Sequence, residues 1–195
     1  MTPGLGIIVF HGLPASGKST LAAALCAVEP ALGLLSIDQA CAEAALPAGT
    51  SDEIAAVYEA VLARAATLVH DGRGAVIDAT FWQCAFRARL YARTADLAAR
   101  CTLVNVMTPF AVCCARTAAR VTSAASPPHA IEIERRFRLV ANGGSRMDAS
   151  ELARFDGVVD VDGSSALPQL LSARLDPDLA AVFACALSHL ENRSR

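Results

Sequence analysis

The residues whose types and spacing are best suited to chemistry lie near the N-terminus. Residues 12–19 read GLPASGKS and match the phosphate-binding pattern GxxxxGK[ST] at every fixed position. An apolar run, residues 7–10, comes directly before them, and a helical pattern over residues 21–25 follows. In this setting, inward-facing N–H groups and the positive end of the helix bind a polyphosphate. We therefore expect a nucleotide-phosphate site formed by Gly12, Leu13, Pro14, Ala15, Ser16, Gly17, Lys18 and Ser19.

Lys18 also stands out by composition, because it is the single lysine among the 17 Lys and Arg residues of the chain. A chain that otherwise uses arginine is expected to keep a lysine where a compact ammonium is needed and a planar guanidinium will not fit. In a loop of this type the ammonium reaches the β- and γ-phosphates, and the hydroxyl of Ser19 binds Mg²⁺. The motif therefore predicts ATP and Mg²⁺ as ligands.

Two carboxylates follow predicted strands further along the chain. Asp38 closes the run 34–37, and Asp78 closes the run 75–78. In an open α/β sheet the ligand crevice lies beyond the carboxyl ends of the strands, so both side chains are expected to face the phosphate loop. An aspartate at a strand end can equally serve as a helix cap, and the sequence leaves both interpretations open.

Composition limits the classes of protein to which the chain can belong. It has 195 residues, of which 54% are hydrophobic and 18% are charged, with a formal net charge of −2. These values suit one globular domain and not a disordered segment, and they provide no cationic excess for coating a nucleic acid. The seven cysteines form no CxxC pair, so we expect reduced thiols, no structural metal and a cytoplasmic protein. No signal peptide or membrane span is expected.

Apolar runs alternate with alanine-rich helical patterns along the chain, which predicts an α/β fold with a parallel sheet built from βαβ units. The predicted strands are residues 6–10, 34–37, 75–78, 102–107 and 157–161. The predicted helices are residues 18–28, 54–69, 86–99, 109–120, 129–140, 167–174 and 177–191. The Ser- and Pro-rich break at 121–128 is typical of a lid, and residues 142–147 are predicted to form a loop.

The motifs GLPASGKST, SID and VIDATFW together resemble those of the AAA-domain kinases. These small P-loop proteins are related to polynucleotide kinase, zeta toxins and chloramphenicol phosphotransferase. The resemblance covers residues 5–140. It implies a three-layer P-loop NTPase fold with a five-stranded parallel sheet in the order 2-3-1-4-5. It also implies a single kinase domain over residues 1–195, with a small helical lid at about 116–136.

The resemblance also implies roles for individual residues. Asp38 looks like the catalytic base that accepts the proton of the attacking hydroxyl, and Asp78 looks like the carboxylate that holds a Mg²⁺-bound water. Thr20 would lie near the α-phosphate. Arg116 and Arg120 look like the paired lid arginines, of which Arg120 would meet the transferring phosphoryl group. They are spaced one helical turn apart, which is also typical of a solvated helix face.

Three other side chains lie near these motifs. Arg87 occupies a position where related proteins often place an arginine that faces the substrate. Trp82 could stack on a substrate ring or pack against the sheet. His11 adjoins the loop and is expected to complete the turn from strand to loop without acid–base work.

The favoured function is an ATP-dependent kinase that phosphorylates a hydroxyl of a small molecule. A polynucleotide 5′-hydroxyl kinase, or another RNA or DNA kinase, is the first alternative. In those kinases an arginine follows the base three residues later, whereas this chain has Cys41 there, and residues 39–51 contain Glu43 but no cation. Arg89 and Arg93 could still track a short oligonucleotide together with Arg87. An ATP-binding regulatory or toxin-like module is the second alternative, which would have no need for the base Asp38.

Overall fold

A computed structural model of the chain describes residues 5–46, 51–123, 134–135, 137–138 and 147–193. Within these residues a single sheet of six strands has the order β2-β3-β1-β4-β5-β6. The first five strands in this order run parallel, and β6 pairs antiparallel with β5 at the edge. The strands are β1 Ile7–His11, β2 Leu32–Ser36, β3 Gly74–Asp78, β4 Cys101–Val106, β5 Gly157–Asp162 and β6 Gln169–Arg174.

Helices cover both faces of this sheet. The described helices are α1 Lys18–Val28, α2 Ile37–Glu43, α3 Ser51–His70, α4 Cys84–Leu97, α5 Phe110–Thr122, α6 Ala149–Leu152 and α7 Pro177–Arg193. Two separate apolar clusters result, because successive side chains of a strand point to opposite faces. Val9 packs with Tyr58 and Leu62 of α3 on one face. Phe10 packs with Leu21 of α1 and Phe183 of α7 on the other. The structure therefore has three layers, with α3 on one side and α1 and α7 on the other.

The predicted fold class is confirmed, and the central strand shows why the pattern is so clear. All five residues of β1 are buried, as expected for a strand that is covered on both faces. The buried positions Val57, Val61 and Leu62 of α3 belong to the apolar face predicted for that helix. None of the seven cysteines, all of which lie in the described ranges, forms a disulfide bond.

The sheet has one strand more than predicted, because the helix predicted at residues 167–174 is wrong. Residues Gln169–Arg174 form β6 instead, and all six are exposed. Leu170 and Leu171 are 48% and 56% exposed, so these apolar residues do not form the buried face of a helix. Pairing with β5 makes these residues a strand. A hydrogen bond of 2.7 Å from Ser172 Oγ to Asp160 Oδ2 of β5 adds to this pairing.

The second strand ends one residue earlier than predicted. Ile37 begins α2, and the side chain of Ser36 caps this helix by accepting a hydrogen bond of 3.3 Å from the backbone N–H of Gln39. Asp38 therefore lies in the first turn of a helix that starts directly after β2, and not at the strand end.

Parts of four predictions fall outside the described residues. The lid predicted at about 116–136 is described only at 116–123 and 134–135, and the helix predicted at 129–140 only at 134–135 and 137–138. The break at 121–128 and the loop at 142–147 are likewise described only at 121–123 and 147. None of the helices in the described ranges is long and apolar enough to cross a membrane.

Candidate active site

The phosphate loop occupies the turn between β1 and α1, as predicted. Gly12 and Gly17 have φ angles of 144° and 105°, which L side chains rarely adopt. A Cβ atom on Gly12 would lie 2.6 Å from the carbonyl oxygen of Val106, so β4 leaves no space for a side chain there. Gly17 directly precedes α1. The two glycines thus allow the tight turn that directs backbone N–H groups toward a bound anion.

Lys18 lies within the curve of this loop and is only 6% exposed. Its ammonium donates hydrogen bonds of 2.6 Å to the carbonyl oxygen of Leu13 and 3.3 Å to Ser16 Oγ. Burial lowers the pKa of Lys18 to about 8, although the charges of Asp78 and Asp38 oppose the shift. The ammonium is therefore poorly solvated, which favours binding of a polyanion in the loop.

Asp78 lies at the end of β3, where the register pairs it with Ser36 of β2. Burial raises the pKa of Asp78, while a hydrogen bond from the Ser19 hydroxyl and the charge of Lys18 act in the opposite direction. The structure thus brings Ser19 and Asp78 together across the phosphate loop, at the positions where the sequence predicts a metal site. Hydroxyl and carboxylate oxygens are the ligands that Mg²⁺ prefers.

Asp38 reaches the same place from the adjacent strand. The end of β2 lies beside the end of β3, and α2 carries Asp38 in its first turn. Its charge acts on both Lys18 and Asp78. The charges of the two carboxylates, on neighbouring strand connections, therefore both act on one buried ammonium.

The two predicted lid arginines lie on α5 at the opposite side of the loop. Arg116 donates hydrogen bonds to three backbone carbonyl oxygens: Ala15 at 3.3 Å, Ser164 at 3.2 Å and Ser165 at 2.9 Å. The charge of Arg120 lowers the pKa of Lys18, so its guanidinium also acts on the phosphate loop. These contacts distinguish Arg116 from a residue of a merely solvated helix face, whereas Arg120 is exposed.

Both arginines line a cavity of about 210 Å³ beside the loop. Ser16, Gly17 and Thr20 form its other wall, and residues that follow β5 close it. The sequence analysis missed the contribution of these residues. The sequence feature that could have pointed to them is Gly163, where a Cβ atom would lie 2.3 Å from the carbonyl oxygen of Ser16. Only glycine permits the end of β5 to approach the phosphate loop so closely.

The prediction that Arg87 faces the substrate is corrected by the structure. Arg87 is fully buried, and its guanidinium is paired with Glu151 through contacts of 2.8 Å and 3.0 Å. It also donates hydrogen bonds of 3.1 Å and 3.0 Å to the carbonyl oxygens of Phe81 and Trp82. Arg87 therefore fixes the turn after β3 and joins it to α6. A helical spacing in α4 cannot reveal this role, because the carboxylate lies 64 residues away.

Removal of that carboxylate is expected to destabilise the fold. In Glu151→Leu the guanidinium of Arg87 would stay buried without its charge partner, and breaking such a pair costs about 3 kcal/mol of unfolding free energy. The double variant Arg87→Met, Glu151→Leu should recover part of this loss, because it leaves no unpaired charge. Urea unfolding of the wild type and both variants measures the effect. An unchanged midpoint in Glu151→Leu would contradict the structural role.

The fold and the site together define a class of protein. A three-layer fold whose first strand leads through GxxxxGK[ST] into a helix is that of the P-loop kinases, and the strand order agrees. A comparison with protein families then identifies the chain more closely: the profile of the AAA domain family, a P-loop kinase family, matches residues 7–138, and the chain belongs to that family. No curated protein sequence matches the chain.

Solved structures of kinases share the fold. A candidate kinase from Chloroflexus aurantiacus is 20% identical with a TM-score of 0.64, and the match covers 98% of this chain and 99% of that one. A gluconokinase from Sinorhizobium meliloti is 18% identical with a TM-score of 0.56, over 96% and 92% of the two chains. The Mycobacterium tuberculosis APS kinase, in complex with AMPPNP and APS, is 22% identical with a TM-score of 0.54, over 63% and 74%.

Proposed function

We propose that this protein is a kinase that transfers the γ-phosphate of ATP to a hydroxyl group of a small molecule, in a reaction that depends on Mg²⁺. The observation that carries the proposal is that the charges of Asp38 and Asp78 both act on the buried Lys18, while the hydroxyl of Ser19 acts on Asp78. A protein that only binds a nucleotide needs the phosphate loop and Asp78. It does not need a second carboxylate at the position of an acceptor hydroxyl.

Charge neutralisation is the main task of the phosphate-binding residues. Phosphoryl transfer needs little covalent chemistry from the protein, so positioning and electrostatics carry most of the rate. Lys18 and the N–H groups of the loop would bind the β- and γ-phosphates. The neighbouring cavity is lined by Thr20, Arg116 and Arg120. Thr20 and Arg116 would bind the rest of the nucleotide, whereas Arg120 would meet the transferring phosphoryl group.

Asp38 would act on the acceptor. A carboxylate at this position can accept a hydrogen bond from the attacking hydroxyl, orient its oxygen toward the γ-phosphate and take its proton as the new bond forms. The nearby positive charge of Lys18 keeps the site from accumulating uncompensated negative charge as Asp38, Asp78 and the phosphates come together.

Ser19 and Asp78 would hold the metal ion. Their oxygens are adjacent, and Mg²⁺ is commonly bound through one or two protein oxygens together with substrate phosphates and waters. In the described part of the chain no three His, Cys, Asp or Glu side chains cluster to hold a metal by themselves. This agrees with an ion that enters together with the nucleotide. Bound Mg²⁺ would neutralise charge on the β- and γ-phosphates.

Asp78→Asn is expected to raise the Mg²⁺ concentration needed for half-maximal activity, by about tenfold or more, because losing a partner of a metal site typically costs 10–100-fold in affinity. Saturating Mg²⁺ should restore part of the rate. Activity measured against Mg²⁺ concentration at fixed ATP tests this expectation. The same Mg²⁺ requirement in the variant and the wild type would show that Asp78 has no part in metal binding.

A small-molecule acceptor is favoured over a nucleic acid by the arginines near the site. Arg89 and Arg93 are paired with Glu59 at 2.7 Å and 3.5 Å, and Arg87 is buried. α2 carries no cation, and its Gln39 donates a hydrogen bond of 2.8 Å to Glu43. Phosphate neutralisation supplies most nucleic-acid affinity, so these residues offer little attraction for a polyanion. By their names, the gluconokinase and APS kinase with this fold also act on small molecules.

Release of ADP, measured with and without candidate acceptors, tests the proposal. We expect slow release with ATP and Mg²⁺ alone, a clear stimulation by one class of small alcohols, and none of this stimulation when EDTA removes Mg²⁺. ADP release that no acceptor stimulates would instead indicate the regulatory module. Stimulation by oligonucleotides with 5′-hydroxyl ends, and by no small alcohol, would indicate the polynucleotide kinase.

A further inference from the structure

A second cavity, of about 220 Å³, lies at the other end of the phosphate loop. It adjoins Gly12 and Leu13, whereas the cavity with the two arginines adjoins Ser16, Gly17 and Thr20. The ammonium of Lys18 bonds both the carbonyl oxygen of Leu13, which lines this second cavity, and Ser16 Oγ, which lines the first, so it lies between the two cavities. A molecule bound here would therefore lie next to the phosphates of a nucleotide and on the opposite side from the rest of that nucleotide.

The polar groups of two side chains in this cavity lack partners among the described residues. His11 is 2% exposed and neither of its ring nitrogens is hydrogen-bonded, and the buried Nε1 atom of Trp82 is also unbonded. The two rings are stacked with a centroid distance of 5.1 Å and an interplanar angle of 14°. An unsatisfied buried donor or acceptor costs about 1–3 kcal/mol, so such groups are retained where a ligand satisfies them.

The ring of His11 is uncharged near neutral pH. Burial, helped by the charges of Arg87 and Lys18, lowers its pKa to about 4, and the carbonyl groups of Phe81 and Thr80 oppose this shift without completing a hydrogen bond. A neutral imidazole offers one donor and one acceptor, and the indole of Trp82 offers one donor. These two donors and one acceptor are complementary to hydroxyl groups, which both donate and accept hydrogen bonds.

Structure around Trp82 holds its ring in place. Arg87 binds the carbonyl oxygens of Phe81 and Trp82, and Phe81 has a φ angle of 43°, which is unusual for an aromatic residue. The carbonyl oxygen of Thr80 accepts a bond of 3.3 Å from the N–H of Gly12. Strained backbone that is fixed by charge-assisted bonds is typical of functional sites. The buried arginine therefore acts on the cavity indirectly, by positioning Trp82.

The described walls of the cavity do not favour a charged ligand. Among the described residues that line it none is Asp, Glu, Lys or Arg, and apolar side chains of Met107, Met147 and Leu152 form part of the surface. A carboxylate or phosphate bound here would lose its hydration without gaining a cation, which is costly. An uncharged molecule with a short carbon skeleton and several hydroxyl groups fits both the polar and the apolar parts.

We propose that this cavity binds the acceptor, that the acceptor is an uncharged, polyhydroxylated small molecule, and that His11 and Trp82 bind hydroxyl groups other than the one that is phosphorylated. The phosphorylated hydroxyl would extend out of the cavity toward Lys18 and Asp38, neither of which lines it. This inference rests on the proposed function. It goes further by naming the class of acceptor and two residues that determine specificity. It also separates this protein from kinases of the same fold whose substrates are anions, such as gluconate.

Fluorescence of Trp82 provides the test, because it is the only tryptophan in the chain. Without nucleotide, the protein is titrated with three neutral compounds, glycerol, D-ribose and D-glucose, and with their anionic counterparts glycerol 3-phosphate, D-ribose 5-phosphate and D-gluconate. We expect a saturable change with at least one neutral compound, and binding at least tenfold weaker for its anionic counterpart.

Two variants assign the binding to the cavity. His11→Phe keeps a stacking ring but removes both nitrogens, and we expect it to weaken binding of the neutral compound about tenfold or more while ADP still binds. His70→Phe, the same change at the exposed end of α3, should bind as the wild type does. If His11→Phe does not fold, calorimetry on Trp82→Phe, which keeps an aromatic ring but lacks the indole N–H, replaces it, with the same expected loss.

Three outcomes would overturn the inference: no saturable change with any of the neutral compounds, tighter binding of the anionic counterparts, or unchanged affinity in the variants that remove the polar groups. The binding measurement needs no phosphoryl transfer, so the two proposals fail separately. A neutral compound that binds in the cavity but is never phosphorylated would support the cavity assignment and contradict the proposed kinase activity.

Discussion

Lys18→Arg is expected to lose most of the phosphoryl transfer activity, by about 10²–10³-fold in kcat, the effect of removing one preorganised electrostatic contact to the reacting group. The substitution keeps the positive charge, but a guanidinium needs more space than an ammonium. The ammonium is enclosed by the loop, 2.6 Å from the carbonyl oxygen of Leu13, and a planar guanidinium cannot occupy that position without moving the loop. The measurement compares kcat of the variant and the wild type with the same acceptor.

The control exchanges the same two side chains at a position outside the site. Arg64 lies on the exposed side of α3, and the activity of the variant Arg64→Lys is expected to match that of the wild type. Near-normal turnover in Lys18→Arg would show that the ammonium does not contact the transferring phosphate. The assignment of residues 12–19 as the phosphate loop would then be wrong.

Asp38→Asn is expected to reduce phosphoryl transfer by about 10²–10⁴-fold, the usual contribution of a positioned general base. The amide keeps the size of the side chain but cannot accept the proton of the acceptor hydroxyl. Affinity for ATP and for Mg²⁺ should remain close to that of the wild type, because Ser19, Asp78 and the loop are unchanged. Single-turnover transfer, together with equilibrium binding of a fluorescent ATP analogue, separates these two effects.

Asp52→Asn is the matched control for this variant. Asp52 also lies in the first turn of a helix, but it is exposed and far along the chain from the phosphate loop, so its substitution should change neither transfer nor binding. If ATP affinity instead collapses in Asp38→Asn while transfer survives, Asp38 belongs to the nucleotide site and another group activates the acceptor.

Local patterns explain which parts of the fold could be predicted. The strand before the phosphate loop is buried on both faces, so it is a continuous apolar run, and the loop itself is defined by residues that are neighbours in sequence. α3 is 20 residues long, which allows its apolar period to repeat several times. The position of Asp78 at the carboxyl end of a parallel strand also followed from the sequence.

The features that could not be predicted depend on contacts between distant parts of the chain. β6 is an exposed edge strand whose structure comes from pairing with β5, so its two leucines resemble a helix face by chance. Arg87 finds its carboxylate on α6, and Arg116 binds carbonyl groups that follow β5. No residue spacing along the sequence reports such pairs. His11 and Trp82 meet for the same reason, because the turn after β3 passes over the end of β1.

The destination of the γ-phosphate tests the central claim most directly. The protein is incubated at low salt with ATP labelled at the γ-phosphate, Mg²⁺, a mixture of neutral small alcohols, and DNA and RNA oligomers with 5′-hydroxyl ends, in parallel with Asp38→Asn. We expect the label on the hydroxyl of a small molecule, and at least about 10²-fold less of this product with the variant. Salt-sensitive labelling of the oligomers without a small-molecule product, or label released only as inorganic phosphate, would contradict it.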